Sequence, residues 1–373
     1  MKRKHILCVA THILGGRTFS RYIKAILDTR QDFTYDYVSF DVDTYKIHVP
    51  RIYRTSNSLK SAYLIKTLLK QKGIEFSNYD AVIFLSYHLA APFKSQVKKI
   101  PTLISLDSTP ILAHKGNVQA NNNWKTKGKA TIAKLLGHIS FNEVFKNTEL
   151  FLTRTETVKQ SLVNDYGVNG DICEATYIAI DQPNVEHEKV SPTKPKLLFV
   201  GNDFIRKGGD FILDVFREHL RGKATLVIVS STADSYLHPH DEDITLYKNI
   251  SHEKVLELMR NSDIFLFPTF KDEMGIAICE AVSNALPVVA RQTCSQHELV
   301  IDGHNGHLMP FSSNKEQWAN AINKLIESPE IIAEFSRNSK LLAEEKFSKK
   351  VFENKVNAAL DKLLQIKKAS WSL

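Results

Sequence analysis

The chain has 373 residues, of which 43% are hydrophobic and 24% charged, and its formal net charge is +8 at pH 7. This length exceeds what one hydrophobic core usually serves and suits two domains, and the composition is that of a globular protein. No apolar stretch approaches the roughly 18 residues that a membrane-spanning helix needs, which argues against a membrane-embedded protein.

The first apolar run and the cysteines indicate the compartment. Residues 6–10 are followed by Thr11 and His12 with no small-residue cleavage site, so they predict a buried strand and not a secretory signal. The four cysteines stand at positions 8, 173, 279 and 294, without a CxxC pair or a histidine at ligand spacing. This pattern predicts a protein of the reducing cytoplasm with no structural metal.

Short apolar, β-branched runs alternate with helical patterns through the first half of the chain. The predicted strands are residues 6–10, 35–40, 81–85, 102–106, 150–153 and 175–178. The predicted helices are residues 18–28, 58–72, 131–145 and 156–166. This alternation is typical of a parallel sheet that is covered by helices on both faces.

A polar segment with three prolines, residues 181–195, interrupts the alternation, which restarts at residue 196. The strands predicted after it are residues 196–200, 225–229, 244–247, 264–267 and 287–290. The helices predicted there are residues 210–219, 252–260, 276–284, 315–327, 331–346 and 349–367. We therefore predict an α/β protein of two Rossmann-like doubly wound domains that face a cleft, with ligands beyond the carboxyl ends of the strands.

The composition shift at the polar segment sets the predicted domain boundaries. They are residues 1–182 for the first domain, 183–195 for the linker, 196–348 for the second domain, and 349–373 for a C-terminal helix that packs back towards the first domain.

The first strand of the second half runs into a turn with glycines at both ends and a basic pair inside. The turn begins at Gly201 and Asn202 and contains Arg206 and Lys207. Glycines allow close backbone approach, the following helix offers N–H groups and the basic pair neutralises charge, so the turn predicts phosphate binding. It lacks the Gly-Lys-Ser/Thr of a P-loop and the GxGxxG of a dinucleotide site. An ordinary strand–helix turn with basic surface residues is the alternative.

A second candidate binding segment runs from Asp272, in a predicted loop, to Glu280, on the helix that follows. The start of that helix would offer N–H groups to a phosphate or a sugar hydroxyl, and a helix carboxylate suits the paired hydroxyls of a ribose. The backbone groups expected there are those of Met274, Gly275, Ile276 and Ala277. Together these features predict a nucleotide-sugar site.

This half of the chain resembles the retaining glycosyltransferases of family 4, which have the GT-B fold. The resemblance lies in the two carboxylates at 272 and 280, the Pro-Val-Val-Ala strand at 287–290, Glu298, and the Asp-Gly-x-x-Gly segment at 302–306. The Gly201 turn is similar to the phosphate loop of the family. The match is dense over residues 196–310 and thin over residues 1–190.

The resemblance implies an enzyme that moves a sugar from a nucleoside diphosphate donor, UDP- or GDP-linked, to a glycan, lipid-linked or other hydroxyl acceptor such as a cell-envelope polysaccharide. It implies retention of anomeric configuration and no metal or other cofactor. Glu280 would bind the ribose, and Asp272 with the backbone of 274–277 would hold the sugar and the distal phosphate. Arg206 and Lys207 would hold the diphosphate, whose developing charge fixed cations and donors stabilise.

For the first domain, the resemblance implies that Gly15 and Gly16 close on the phosphates, with Arg17 adding charge. The implied catalytic residues are Asp272, Lys207 and Asp107. Asp107 stands near where many members carry a histidine and would position the acceptor or the sugar; a turn-capping role is the alternative. The other departures from the family pattern are Asp272 for Glu, Asn202 for Arg, and Cys294-Ser295 for Gly-Gly.

Two basic stretches without acidic residues, 51–73 and 108–142, also contain helical apolar patterns. They predict either a face that docks on an anionic membrane or acceptor, or packed helices with a solvated basic side. No nucleic-acid-binding motif accompanies them. We expect a cytoplasmic protein, with peripheral contact at the inner face of the membrane as one option.

Weaker patterns remain beside this hypothesis. Asp41 and Asp43 match a DxD metal motif, but a chance loop pair is the better interpretation, and residues 241–243 are interpreted as a solvated loop. A catalytically weak nucleotide-sugar binding protein on the same scaffold is the alternative function. A sugar-nucleotide epimerase or a phosphorylase is a third hypothesis, without a cofactor-anchoring lysine to support it.

Overall fold

The computed structural model describes residues 3–11, 16–41, 49–51, 57–120, 141–181, 194–238 and 240–367, with the backbone alone at 57–59 and 116–120. These residues form two compact units. The first contains the described residues up to Lys115, those of 141–179 and those from Lys350 onward. The second contains the described residues of Ile180–Lys349, with which residues 116–120 also group.

The first unit is built on a parallel sheet. Its described strands are β1 (Lys4–Thr11), β2 (Phe33–Phe40), β3 (Ala81–Phe84), β4 (Thr102–Leu106), β5 (Leu150–Thr153) and β6 (Cys173–Ala175). They lie in the order β2-β1-β3-β4-β5-β6, and every residue of β3, β4 and β5 is buried, as expected for a sheet covered on both faces. The strand order changes direction between β1 and β3, which opens a crevice at the carboxyl edge of the sheet.

Helices connect these strands. They are α1 (Gly16–Thr29), α2 (Asn57–Gln71), α3 (Tyr87–Ala90), α4 (Lys94–Val97), α5 (Pro110–Ala120) and α6 (Glu156–Tyr166), with a further helical segment at 141–146. Local sequence sets their ends: Thr155 caps the start of α6 by accepting the Val158 amide, and Gly167 ends it in the left-handed conformation.

The second unit repeats the plan with a different strand order. Its described strands are β7 (Lys196–Val200), β8 (Thr225–Val229), β9 (Ile244–Tyr247), β10 (Ile264–Phe267), β11 (Val288–Arg291) and β12 (Gly306–Met309). All are parallel, in the order β12-β11-β10-β7-β8-β9. The chain starts at β7 and winds outwards in both directions, so the crevice of this sheet opens between β7 and β10.

The helices of the second unit are α7 (Gly209–Val215), α8 (His252–Arg260), α9 (Ile276–Ser283), α10 (Lys315–Ile326) and α11 (Pro329–Lys346). They cover a core that includes Phe199, Phe216 and Trp318, each at most 1% exposed. Asn314 begins α10 with a capping box, in which its side chain and that of Gln317 each accept from the other's backbone.

The last described helix, α12 (Lys349–Gln365), belongs to the first unit. Its Phe352 packs edge-on against Phe19 of α1 at 5.4 Å between ring centroids, and both side chains are buried. Lys355 adds polar contacts to the Ala175 carbonyl and to Glu174. Among the described residues, no helix combines the length and the apolar character needed to cross a membrane.

The predicted α/β class with two doubly wound sheets is confirmed, and the strands predicted at 102–106, 150–153, 196–200, 225–229, 244–247 and 264–267 have the observed bounds. The predicted helix at 131–145 is described only from residue 141, and most of the predicted linker lies outside the described residues. The helix predicted at 210–219 changes to a π-helical turn at Phe216–Leu220.

Two strand predictions were wrong for identifiable reasons. The strand placed at 175–178 ends at Ala175, and Tyr177 has a positive φ of 56°, which is incompatible with continued pairing. Strand β12 was missed because Gly-His-Leu-Met is not a β-branched run. Gly306 is required there, since a Cβ would lie 1.9 Å from the Val288 carbonyl oxygen of β11.

Candidate functional site

The crevice of the second sheet brings the two predicted binding segments together. Strands β7 and β10 pair side by side, and each ends in one of these segments, residues 201–208 and 268–275. We call them the first loop and the second loop. The Phe270 amide donates to the Arg206 carbonyl at 3.3 Å, and Arg206 Nη1 donates to the Lys271 carbonyl at 3.0 Å. Two segments 60 to 70 residues apart in the chain therefore form one structure.

Glycines make the close approach of the two loops possible. A Cβ at Gly201 would lie 2.9 Å from Cβ of Lys207, so glycine leaves room for the lysine side chain. Gly208 has φ +74°, and a Cβ there would lie 2.6 Å from the Pro268 carbonyl oxygen. The first loop thus packs backbone against backbone on the second, and glycine at position 208 leaves room for that contact.

Replacing Gly208 by alanine is expected to lower the free energy of unfolding by about 2–3 kcal/mol, through the positive φ and the clash with Pro268. Gly222→Ala is the matched control, because Gly222 has φ +80° but open space around its Cβ position. In urea unfolding, the free energy of unfolding of Gly208→Ala should be at least about 1 kcal/mol lower than that of Gly222→Ala. Equal free energies would show that the backbone contact between the loops does not contribute to stability.

Lys207 and Asp272 form an ion pair between the two loops. Their side chains are 18% and 21% exposed, and the Lys207 ammonium also lies 5.5 Å from the centroid of the Phe267 ring. The pair joins the two residues that the sequence assigned to the diphosphate and to the sugar. A cation and a carboxylate held together in a partly buried crevice can receive a phosphate and a hydroxyl side by side.

Asp272 also shapes the start of α9. Its Oδ1 accepts the Gly275 amide at 3.0 Å, its carbonyl accepts from Gln296 Nε2 at 3.1 Å, and Gly275 adopts φ +80° as the residue before the helix. The Gly275 amide is therefore used inside the protein and not offered to a ligand. The first-turn amides of α9, at Ile276 and Ala277, lack intrahelical acceptors by the geometry of any helix start. Met274 is buried.

Glu280 lies one turn further along α9 with its side chain 15% exposed. His252, the first residue of α8, contacts Glu280 Oε1 through Nε2 at 2.8 Å. Sequence reasoning missed His252, although its position at the start of the helix that follows β9 was a usable signal. The Glu280 carboxylate lies on α9 as predicted, and the His252 ring is its hydrogen-bond partner.

The remaining residues of the first loop are less enclosed. Arg206 is 46% exposed and its Nε donates to Asp203 at 2.6 Å. Asn202 is exposed, and its side-chain oxygen accepts from the amide and the hydroxyl of Ser231 at 3.3 Å each. Lys207 is thus the more buried cation of the first loop, while Asn202 ties that loop to the segment after β8.

Arg291 supports the second loop from behind and was also missed. It is 2% exposed at the end of β11, and it donates to the Pro268 carbonyl at 3.0 Å and to the Phe311 carbonyl at 2.7 Å. Burial lowers the pKa of its guanidinium to about 10, so it stays charged at neutral pH. The aromatic rings within 6 Å of it are those of Phe211, Phe270, Phe311 and Trp318.

The structure describes some of the site residues that were predicted in the first unit. Gly15 lies outside the described residues, and Gly16 begins α1. Asp107 is exposed directly after β4, at the carboxyl edge of the sheet. Arg154, directly after β5, is buried and His88 of α3 is partly buried, and both lie close enough for Asp107 to act on their charge. Burial lowers the pKa of His88 to about 4, so its ring is neutral at pH 7.

The described residues contain no cluster of His, Cys, Asp and Glu that could hold a metal ion. Asp41, one half of the DxD match, pairs with Arg17, and Asp43 lies outside the described residues.

The second unit defines the class of protein to which this chain is similar. Residues 181–342, less than half of the chain, match the family model of glycosyl transferases group 1. Among curated relatives, the lipopolysaccharide glucosyltransferase WaaG of Escherichia coli (strain K12) is 28% identical over 141 residues, covering 36% of this chain and 38% of WaaG. The matched region spans between 38% and 58% of the lengths of the first three relatives.

Solved structures extend the likeness to the whole chain. Sucrose-phosphate synthase from Thermosynechococcus elongatus superposes with a TM-score of 0.69 at 13% identity, covering 97% of this chain and 99% of its own. HepE from Anabaena, solved with UDP and glucose, gives a TM-score of 0.65 at 14% identity, covering 96% and 100%. At these identities the likeness shows the fold, which is the two-domain GT-B arrangement that the sequence predicted.

Proposed function

We propose that the protein is a glycosyltransferase that moves a sugar from a nucleoside diphosphate donor to a hydroxyl acceptor. The observation that carries the proposal is the meeting of the Lys207–Asp272 pair, the start of α9 and Glu280 at one crevice. The match of residues 181–342 to group 1 glycosyl transferases supports it. The UDP that HepE binds on the same fold supports a UDP-linked donor, with GDP as the other option.

The proposed chemistry follows from the charges at this crevice. As the bond between sugar and phosphate breaks, the leaving diphosphate gains negative charge. Lys207 and the first-turn amides of α9 would stabilise that charge, and fixed donors of this kind need no reorganisation during the reaction. Asp272 would accept hydroxyls of the sugar and Glu280 those of the ribose. We propose that these groups suffice without a metal ion and that the anomeric configuration is retained.

We propose that the acceptor is a glycan or a lipid-linked compound with a free hydroxyl. The relative WaaG is described as a lipopolysaccharide glucosyltransferase, which supports this class of acceptor. We place the reaction in the cytoplasm, since all four cysteines are free thiols.

Contact of the protein with an anionic membrane would be electrostatic only. The apolar residues of α2 lie in the core of the first unit, which leaves exposed lysines such as Lys66 and Lys70 for docking. Binding to anionic liposomes should therefore fall as salt rises.

The donor assay tests the proposal directly. The protein is incubated with UDP-, GDP- and ADP-sugars, and release of the nucleoside diphosphate is measured. Glu280→Ala is expected to cut the release more than tenfold, because charge-assisted hydrogen bonds to two ribose hydroxyls are lost. Glu334→Ala, an exposed carboxylate on α11, is the matched control and should keep wild-type release.

The outcomes of this assay separate the alternatives. Tight donor binding without release on any acceptor would favour the nucleotide-sugar binding protein, for which the exposed, uncharged Asn202 is an argument. Release of an epimerised donor would favour an epimerase. If no nucleotide sugar binds and no nucleoside diphosphate is released from any donor, the proposed glycosyltransferase function is contradicted.

A further inference from the structure

A buried cation lies at the carboxyl edge of the sheet of the first unit. Arg154 directly follows β5 and is 7% exposed. Its guanidinium carbon lies 3.0 Å from the centroid of the Phe19 ring of α1. Among the described residues, Nη1 of Arg154 is buried without a hydrogen-bond partner. The guanidinium therefore stacks on an aromatic ring, while its Nη1 has no acceptor among the described residues.

A buried guanidinium nitrogen without an acceptor is energetically unfavourable. Buried charges in proteins are ordinarily paired and hydrogen-bonded, because removing a guanidinium from water without compensation is costly. Burial lowers the pKa of Arg154 to about 9, while the charge of Asp107 acts in the opposite direction, so Arg154 is cationic at neutral pH. Asp107 itself is exposed, and no hydrogen bond joins these two described residues.

The chemistry of the Arg154 guanidinium favours an anion as its ligand. Asp107, whose charge acts on both Arg154 and His88, can accept a hydroxyl, and the His88 ring is neutral at pH 7. A planar guanidinium suits bidentate binding of phosphate or carboxylate. Arg154 lies at the end of the sheet where ligands bind in folds of this type.

We propose that Arg154 binds an anionic group, a phosphate or a carboxylate, on the acceptor, while Asp107 accepts a hydroxyl of the same molecule. This inference rests on the proposed glycosyltransferase function. It narrows the acceptor class to hydroxyl compounds with a nearby negative charge. The diphosphate of the donor is the other source of the same chemistry, and the experiment separates the two.

The test is thermal unfolding of the full chain in inorganic phosphate against chloride of equal ionic strength. The comparison is made on Arg206→Met/Lys207→Met, which lacks the phosphate contacts of the proposed donor site, and on the otherwise wild-type chain saturated with UDP, which occupies that site. Phosphate at tens of millimolar is expected to raise Tm by about 2–4 °C through binding to the native state. Arg154→Met should abolish the shift. Arg21→Met, an exposed arginine on α1, should keep it.

Three results would overturn the proposal. They are the absence of any phosphate-induced shift, a shift that survives in Arg154→Met, and a shift that disappears in the UDP-saturated wild-type chain, which would assign Arg154 to the donor phosphates. In chloride alone, Arg154→Met is expected to melt no lower than its parent, because an apolar chain replaces an unpaired buried charge.

Arg154→Lys provides a second test if Arg154→Met does not fold. Arg154→Lys keeps the charge but cannot bind in the bidentate manner, so its phosphate-induced shift should be smaller than that of the parent. An equal shift would contradict the proposal. Phosphate binding needs no turnover and Glu280→Ala leaves Arg154 intact, so failure here is distinguishable from failure of the proposed function.

Discussion

Replacing Lys207 by methionine is expected to lower kcat/KM for donor turnover by about 10²–10³-fold, the usual effect of removing one fixed stabiliser of developing charge. Lys207 is the partly buried cation at the crevice between β7 and β10, and methionine retains most of its apolar length beside Gly201 and Phe267. Steady-state kinetics with the donor identified by the panel measure the effect. Lys223→Met, an exposed lysine of the same unit, should leave the kinetics unchanged.

A second variant separates lost catalysis from damage caused by an unpaired carboxylate. Lys207→Met leaves Asp272 without its cation, although Asp272 still accepts the Gly275 amide. The reference is Asp272→Asn alone, because Asp272 is itself proposed to bind the sugar. If the loss arose only from the unpaired carboxylate, Lys207→Met/Asp272→Asn would be as active as Asp272→Asn. We expect the double variant to be well below Asp272→Asn, because the cation itself stabilises the leaving group, and equal activities would remove Lys207 from the proposed mechanism.

Asp241→Ala is expected to lower the free energy of unfolding by about 2–3 kcal/mol. The Asp241 carboxylate is 4% exposed and binds Arg217 and Arg221, and it also accepts the His238 amide at 2.8 Å. Removing it strands these donors, but Arg217 keeps its bond to the Tyr236 carbonyl, so the loss should be below that of a fully buried pair. Asp234→Ala, which breaks an exposed pair with Lys248, should cost at most about 1 kcal/mol by urea unfolding.

The same residue gives a pH dependence with a definite sign. Hydrogen bonds from Arg217, opposed by burial, lower the pKa of Asp241 to about 2, against about 3.9 in an unfolded chain. Because the folded pKa is the lower one, this stabilisation is present above about pH 4 and is lost as the pH falls towards 2. The stability difference between wild type and Asp241→Asn should therefore shrink over that range. A constant difference would contradict the pairing.

The positions of the candidate donor-site residues of the second unit could be predicted because their signals are local. Gly201, Lys207 and Asp272 lie in turns that contain glycine and that follow a strand with an obvious apolar run, and Glu280 lies on the helix after the second turn. Once both strands belong to one doubly wound sheet, their carboxyl ends share an edge. That topological rule predicts that the two loops lie together.

The supporting residues could not be found in the same way. Arg291 follows an ordinary buried strand, and its rings come from residues between 211 and 318 in the chain. The interpretation of residues 241–243 as a solvated loop was wrong for Asp241, because its two arginines lie on a helical segment some 20 residues earlier. Such partners are brought together by packing and leave no spacing pattern in the sequence.

The sequence by itself determined the α/β class, most strand positions and the residue types at the candidate donor site, since hydrophobic periodicity and glycine placement act over a few residues. Only the tertiary structure decided that Lys207 pairs with Asp272, that the Gly275 amide is already bonded, and that Arg154 is buried without an acceptor at Nη1. Ion pairing and desolvation depend on which side chains meet across the fold. A linear pattern specifies which groups are present, while packing decides which of them are satisfied and which remain for a ligand.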